Sequence, residues 1–99
     1  MSLQIDVPNK KLAEFCRRHN IRKLAFFGSV LRDDFGLDSD VDVLVEFRQG
    51  ARTGFAFFEM ERELSDLLGY KVELNTPGFL SKYFRDRIIA EAEVLYDSA

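Results

Sequence analysis

The chain has 99 residues, of which 46% are apolar, with ten Phe and no Trp; that suffices for one modest core, so a single domain over 1–99 is expected. No apolar run approaches the ~18 residues that cross a bilayer, and a net charge of −3 without a basic tail or stripe disfavours a direct grip on long nucleic acid. One cysteine, Cys16, and a start lacking the basic and apolar parts of a signal peptide make a cytoplasmic location the expectation.

The first segment, residues 8–20, carries Leu12, Phe15, Cys16 and His19 at i, i+3, i+4, i+7, one face of an amphipathic helix. Pro8 suits its first turn and Asn20 its end. Cys16 on the apolar stripe reads as a buried thiol, and His19, the only histidine, has no second soft ligand near it.

Lys23-Leu24-Ala25-Phe26-Phe27, closed by Gly28, reads as a buried strand, and Val30 to Asp33 as a short helix after it. Residues 41–47, rich in valine, make the clearest strand. A loop follows from Arg48 to Gly54. A helix then fits 55–68 through Phe57, Met60/Glu61, Leu64 and Leu67/Leu68, with Gly69 as its stop.

Residues 70–74 form a third strand, and Thr76-Pro77-Gly78 breaks the chain. Helical spacing returns from Phe79 to Ala92, and Val94-Leu95-Tyr96 either extends that helix or adds a strand. The alternation predicts an α+β fold: a small mixed sheet of three to four strands with helices packed against it. Exposed sheet edges would leave room for self-association or a partner subunit.

Chemistry concentrates between Gly28 and Asp42. Five aspartates fall there: Asp33, Asp34, Asp38, Asp40 and Asp42. Asp40 and Asp42 flank Val41 at a strand entrance, so both leave one face, about 7 Å apart. Two carboxylates held together repel, which raises one pKa or calls for a cation. Hard ions such as Mg²⁺ take one or two carboxylates plus substrate phosphates. Glu73, between Val72 and Leu74, would reach the same surface if its strand lies beside that of Asp42; three acids on adjacent strands are a usual protein share of a two-metal site.

Upstream, Gly28-Ser29 ends a strand where backbone amides can face phosphate, and Arg32 offers a planar fork to phosphate oxygens. A solvated acidic loop and a plain Gly-Ser turn are the simpler readings of the parts. A calcium loop starting at Asp38 fails, because Val43 and Gln49 stand where Gly and Glu are required.

Together these residues resemble a known pattern. The run Gly28-Ser29…Arg32…Ser39-Asp40-Val41-Asp42 is similar to the Gly-Ser…Arg…Ser-Asp-x-Asp signature of the DNA polymerase beta-type nucleotidyltransferase superfamily. The length and the endings Thr76-Pro77, Tyr83-Phe84-Arg85-Asp86 and Glu91-Ala92-Glu93-Val94-Leu95-Tyr96 resemble its minimal nucleotidyltransferases, the MntA-like antitoxins.

The resemblance implies a palm-like core. It makes Gly28, Ser29, Arg32 and Ser39 the nucleotide-binding candidates, and Asp40, Asp42 and Glu73 the catalytic and metal-ligating ones, holding two Mg²⁺ with ATP as substrate. It further implies a HEPN-type toxin as partner, neutralised by AMP transfer to one of its tyrosines. Two positions depart from the pattern: Asp33 stands where glycine is frequent, and Glu73 where aspartate is, although the longer arm can still serve as ligand or base. The alternatives are a non-catalytic nucleotide-binding or blocking antitoxin, and transfer to a small molecule. Lys82 and Arg85 could either touch phosphate or face solvent, with solvent the favoured reading.

Overall fold

The computed structural model describes residues 5–32, 35–36, 38–50 and 56–98. Asp33, Asp34 and residues 51–55 of the expected loop and helix start lie outside that set. Helix α1 (Asn9–Arg18) buries Leu12, Phe15 and Cys16. Pro8 stands just before it rather than in its first turn, its carbonyl accepting from the Leu12 amide. Asn20 turns the chain at a φ of 57°, the left-handed conformation that asparagine tolerates better than most residues, and strand β1 (Ile21–Phe27) starts at once.

Gly28–Leu31 form one 3₁₀ turn; the expected short helix begins two residues early. Strand β2 (Val41–Phe47) spans its expected range, and helix α2 (Ala56–Leu68) closes on Gly69 at a φ of 78°, with the Gly69 amide donating to the Ser65 carbonyl. Strand β3 (Val72–Asn75) follows.

The expected long helix from Phe79 to Ala92 does not form. A 3₁₀ turn (Pro77–Phe79) gives way to an extended Leu80, and only Arg85–Glu91 are α-helical, here α3. Ser81 marks the restart after that extended residue: its hydroxyl accepts from the Tyr83 amide at 3.4 Å, and its carbonyl accepts from the Phe84 and Arg85 amides, the bonding of a helix start. The tail is strand β4 (Glu93–Asp97).

The four strands form one mixed sheet in the order β3-β2-β1-β4, antiparallel except for the parallel pair β2–β3. Phe15, Leu24, Phe26, Val41, Val43, Val45, Met60, Leu64 and Val72 make the core between this sheet and helices α1 and α2. The two helices are tied to one another by Arg18 and His19, both bonded to Glu63. Burial pushes the Cys16 thiol up to about 12, so the side chain acts as a small hydrophobe. No described helix is long and apolar enough to cross a membrane.

One contact between helix and sheet governs where Glu73 sits. In β3 the amides of Val72 and Leu74 point away from β2, and α2 supplies their acceptors. Ser65 Oγ takes the Val72 amide at 3.0 Å and Glu61 Oε2 takes the Leu74 amide at 2.9 Å. Ser65 is itself held by the Glu61 carbonyl at 2.8 Å. Ser65→Ala would strand a partly buried amide, and we expect it to cost about 1–3 kcal/mol in urea denaturation; the Val72 amide should then exchange with deuterium faster.

Candidate active site

Three elements converge on the upper end of β2. The β1–β2 register sets Phe27 opposite Asp42, and the parallel β2–β3 register sets Glu73 beside Asp42. Paired residues share a sheet face, so Asp42 and Glu73 project together, close enough to share a proton when one is protonated. Asp40, two residues before Asp42, adds a third negative charge within electrostatic reach. The apolar face of the same strand, Val41, Val43 and Val45, is fully buried and prevents β2 from slipping, because a one-residue shift would drive Asp42 into the core.

Gly28 makes room for this cluster. Its φ of 78° already favours glycine. A Cβ there would lie 2.3 Å from Asp42 Oδ2, an impossible overlap. The carboxylate therefore rests against the backbone of the Gly28 turn.

Ser29 Oγ donates to the Asp40 carbonyl at a long 3.5 Å, which ties the Gly-Ser turn to the β2 entrance. Arg32, exposed at the end of the turn, gives its amide to the Ser29 carbonyl and exerts an attractive field on Asp42. Ser39 has a local role: its hydroxyl accepts from the Gly36 amide at 3.1 Å, and its amide donates to the Gly36 carbonyl. That hydroxyl retains its proton for one further bond.

The electrostatics are strained. Asp42 is pushed up from an ordinary 3.8 to about 6, first by burial, then by the charge of Glu73 and their shared hydrogen bond, then by Asp40; Arg32 pulls the other way. Oxygen-only donors carrying excess negative charge suit a hard divalent cation. Among the described residues no three Asp, Glu, His or Cys side chains are grouped closely enough to hold a metal ion. The Asp42–Glu73 pair could thus hold such an ion only with oxygens from a substrate completing the shell, as Mg²⁺ prefers.

Of the two cations left to solvent by the sequence reading, Lys82 is exposed, its Nζ 5.4 Å from the Tyr83 ring centre. Arg85 is not solvent-facing: it folds back to bond the Leu80 carbonyl at 3.2 Å, with Nε buried. Sequence reasoning missed the supporting pair Glu61 and Ser65, whose i, i+4 spacing on α2 is the one signal that could have marked them. It also passed over Arg87 and Glu91, which reach the Gly28 turn from α3.

The sign of the Asp42 shift gives a test. The folded chain holds this proton more tightly than the unfolded chain does, so stability falls as pH rises from about 4 to about 6 and stays lowered above. Asp42→Asn removes that deficit. Without divalent ions at pH 7.5 its Tm should exceed that of the unsubstituted chain by ~4–8 °C, the equivalent of about 1 kcal/mol after screening by solvent. Thermal melts should coincide near pH 4.

The chain is similar to known proteins in sequence and in fold. The sequence profile described as a nucleotidyltransferase domain matches residues 9–95. The protein adenylyltransferase MntA of Thermococcus cleftensis is 39% identical over 78 residues, 79% of this chain and 78% of that one. A solved candidate minimal nucleotidyltransferase superposes with a TM-score of 0.71 at 30% identity, over 85% of either chain. A chain from a toxin–antitoxin crystal structure with AMP-PNP superposes with a TM-score of 0.73 over 92% of this chain and 74% of its own, at 18% identity, a likeness of fold alone. With 9–95 matched and Gly28, Asp42 and Glu73 brought together at one end of the sheet, the chain belongs to the nucleotidyltransferase domain family.

Proposed function

We propose that the chain transfers AMP from ATP to a hydroxyl of a HEPN-type toxin, a tyrosine, and so acts as the antitoxin of the pair. The observation that carries this reading is the Asp42–Glu73 pair seated against Gly28. Carboxylates held at neutral pH against their own repulsion, beside a turn open to phosphate, fit a site that becomes favourable when cation and nucleotide arrive. The designation of the Thermococcus relative and the AMP-PNP in the fold neighbour's crystal support the same reading.

Asp40, Asp42 and Glu73 would hold Mg²⁺, two ions in all. Bound there, the metal neutralises phosphate charge and lowers the pKa of an attacking hydroxyl. The Gly28-Ser29 turn orients the phosphates through its amides, joined by the Ser29 hydroxyl once it gives up its long bond to the Asp40 carbonyl, with Arg32 and Ser39 as further donors.

The acceptor oxygen forms a bond to the α-phosphorus as the bond to the bridging oxygen of pyrophosphate breaks. Pyrophosphate leaves with that electron pair, and the hydroxyl proton departs through Glu73, the exposed member of the carboxylate pair. Arg32 faces the charge that builds on the phosphates. The chain would work in the cytoplasm, with its toxin as a hetero-oligomeric partner.

ATP labelled at the α-phosphate, Mg²⁺ and the HEPN-type protein encoded beside this chain make the test. Label should appear on the toxin and fall by at least a hundredfold with Asp42→Asn, in keeping with loss of a residue acting at the reacting phosphate. A stable complex that binds Mg·ATP yet leaves the toxin unlabelled would replace this reading with that of a non-catalytic blocking antitoxin.

A further inference from the structure

The sheet face that carries Asp42 is covered along its lower part. Leu44, two residues further along β2, and Ala25 opposite it are both buried, although α1 and α2 pack on the other face. The cover comes from the chain that leaves β3. Its 3₁₀ turn Pro77–Phe79 packs against β2, and α3 then rises to the Gly28 turn, which Arg87 and Glu91 reach. One wall of the carboxylate site is therefore made by the segment from Pro77 to Glu91.

A tyrosine stands on that wall. Tyr83 is 81% exposed, whereas Tyr70 lies against the Phe35 ring and Tyr96 against the core. The amides of Phe84 and Arg85 bond the Ser81 carbonyl, and that of Ile88 the Phe84 carbonyl, so the turn runs straight into α3. Tyr83 thus precedes Arg87 by about one helical turn, on the same side.

We propose that Tyr83 is a modification site: within one chain, AMP is transferred from ATP to the phenolic oxygen of Tyr83. The proposal rests on the nucleotidyl-transfer reading and names a second acceptor for the same site, one that the chain carries itself. The phenolic oxygen forms a bond to the α-phosphorus as the bond to the bridging oxygen of pyrophosphate breaks. Pyrophosphate leaves with that electron pair, and the phenolic proton passes to Glu73. The product is a phosphodiester joining Tyr83 to adenosine.

Three features suit the segment to this role. Among neutral hydroxyl side chains a phenol ionises most readily. The Lys82 ammonium, 5.4 Å from the centre of the Tyr83 ring, sets a positive charge where an arriving phosphate draws near. Helix α3 has no buried residue, so few contacts restrain it, and Tyr83 can approach the α-phosphorus without disturbing the core.

The purified chain, incubated alone with Mg²⁺ and ATP labelled at the α-phosphate, should take up label on Tyr83, located by peptide mass spectrometry. Label per chain at a fixed time should not change on dilution. Tyr83→Phe should lose the label, while Tyr70→Phe and Tyr96→Phe keep it. Asp42→Asn should lose it as well, because the same carboxylates act. With its ring in solvent, Tyr83→Phe should melt as the unsubstituted chain does and still label the HEPN-type partner, so that the loss is of an acceptor and not of the catalytic machinery.

The proposal is overturned if the chain stays unlabelled while it labels the partner, if label survives in Tyr83→Phe or Asp42→Asn, or if label per chain falls with dilution. Absence of label from chain and partner alike would instead remove the nucleotidyl-transfer reading itself, and the role of Tyr83 with it.

Discussion

The carboxylate of Asp42 has almost no freedom. The backbone of Gly28 bounds it on one side, Glu73 faces it on another, and the buried valines on the opposite face of β2 prevent the strand from turning it elsewhere. A negative charge so placed, half-desolvated and facing two more, works against folding at neutral pH. The architecture around it keeps the charge where it is: a parallel strand pair that fixes Glu73, a glycine with left-handed backbone and a hydrophobic strand that tolerates no slip. Such local conflict within an otherwise consistent fold is characteristic of a working site.

The support is spread over three layers. The innermost is backbone pairing, β1 to β2 to β3. The second is α2, which reaches across with Glu61 and Ser65 to take the outward amides of β3. The third is the Arg18–His19–Glu63 link, which ties α2 to α1 and, through the α1 face, to the same core. Arg18 holds the Glu63 carboxyl below its usual range. Glu63 is thus a charged tie between helices, and its surroundings set it apart from the acids at the site: each of its partners is basic, whereas Asp42 has acids for closest neighbours.

Much of this was legible beforehand because it depends on short-range patterns. The period of 3.6 in α1 and α2, the valine-rich run of β2 and the Gly69 stop are local signals, and the corresponding elements appear within a residue or two of expectation. The Asp40/Asp42 spacing and the opposite orientation of Glu73 from Val72 and Leu74 follow from strand geometry alone. That Glu73 would neighbour Asp42 was conditional on which strands pair, and only the fold decides that. The C-terminal region was harder. Helical spacing from Phe79 onward carried no warning that the chain would turn extended at Leu80 and restart its helix only after Ser81. Arg87 was read as one more position on a helix face, since nothing local says that α3 crosses near the Gly28 turn.

The capture of Val72 and Leu74 by α2 also bears on how this sheet can grow. A strand seeking to join β3 would find two of its outward donors already bonded and a helix in the way. Continuation is left to the far edge, past β4. Two chains joined through their sheets would therefore meet β4 to β4, in a doubled sheet whose carboxylate clusters lie at opposite outer ends. Neither copy would cover the other's site, and both would face whatever substrate approaches from outside.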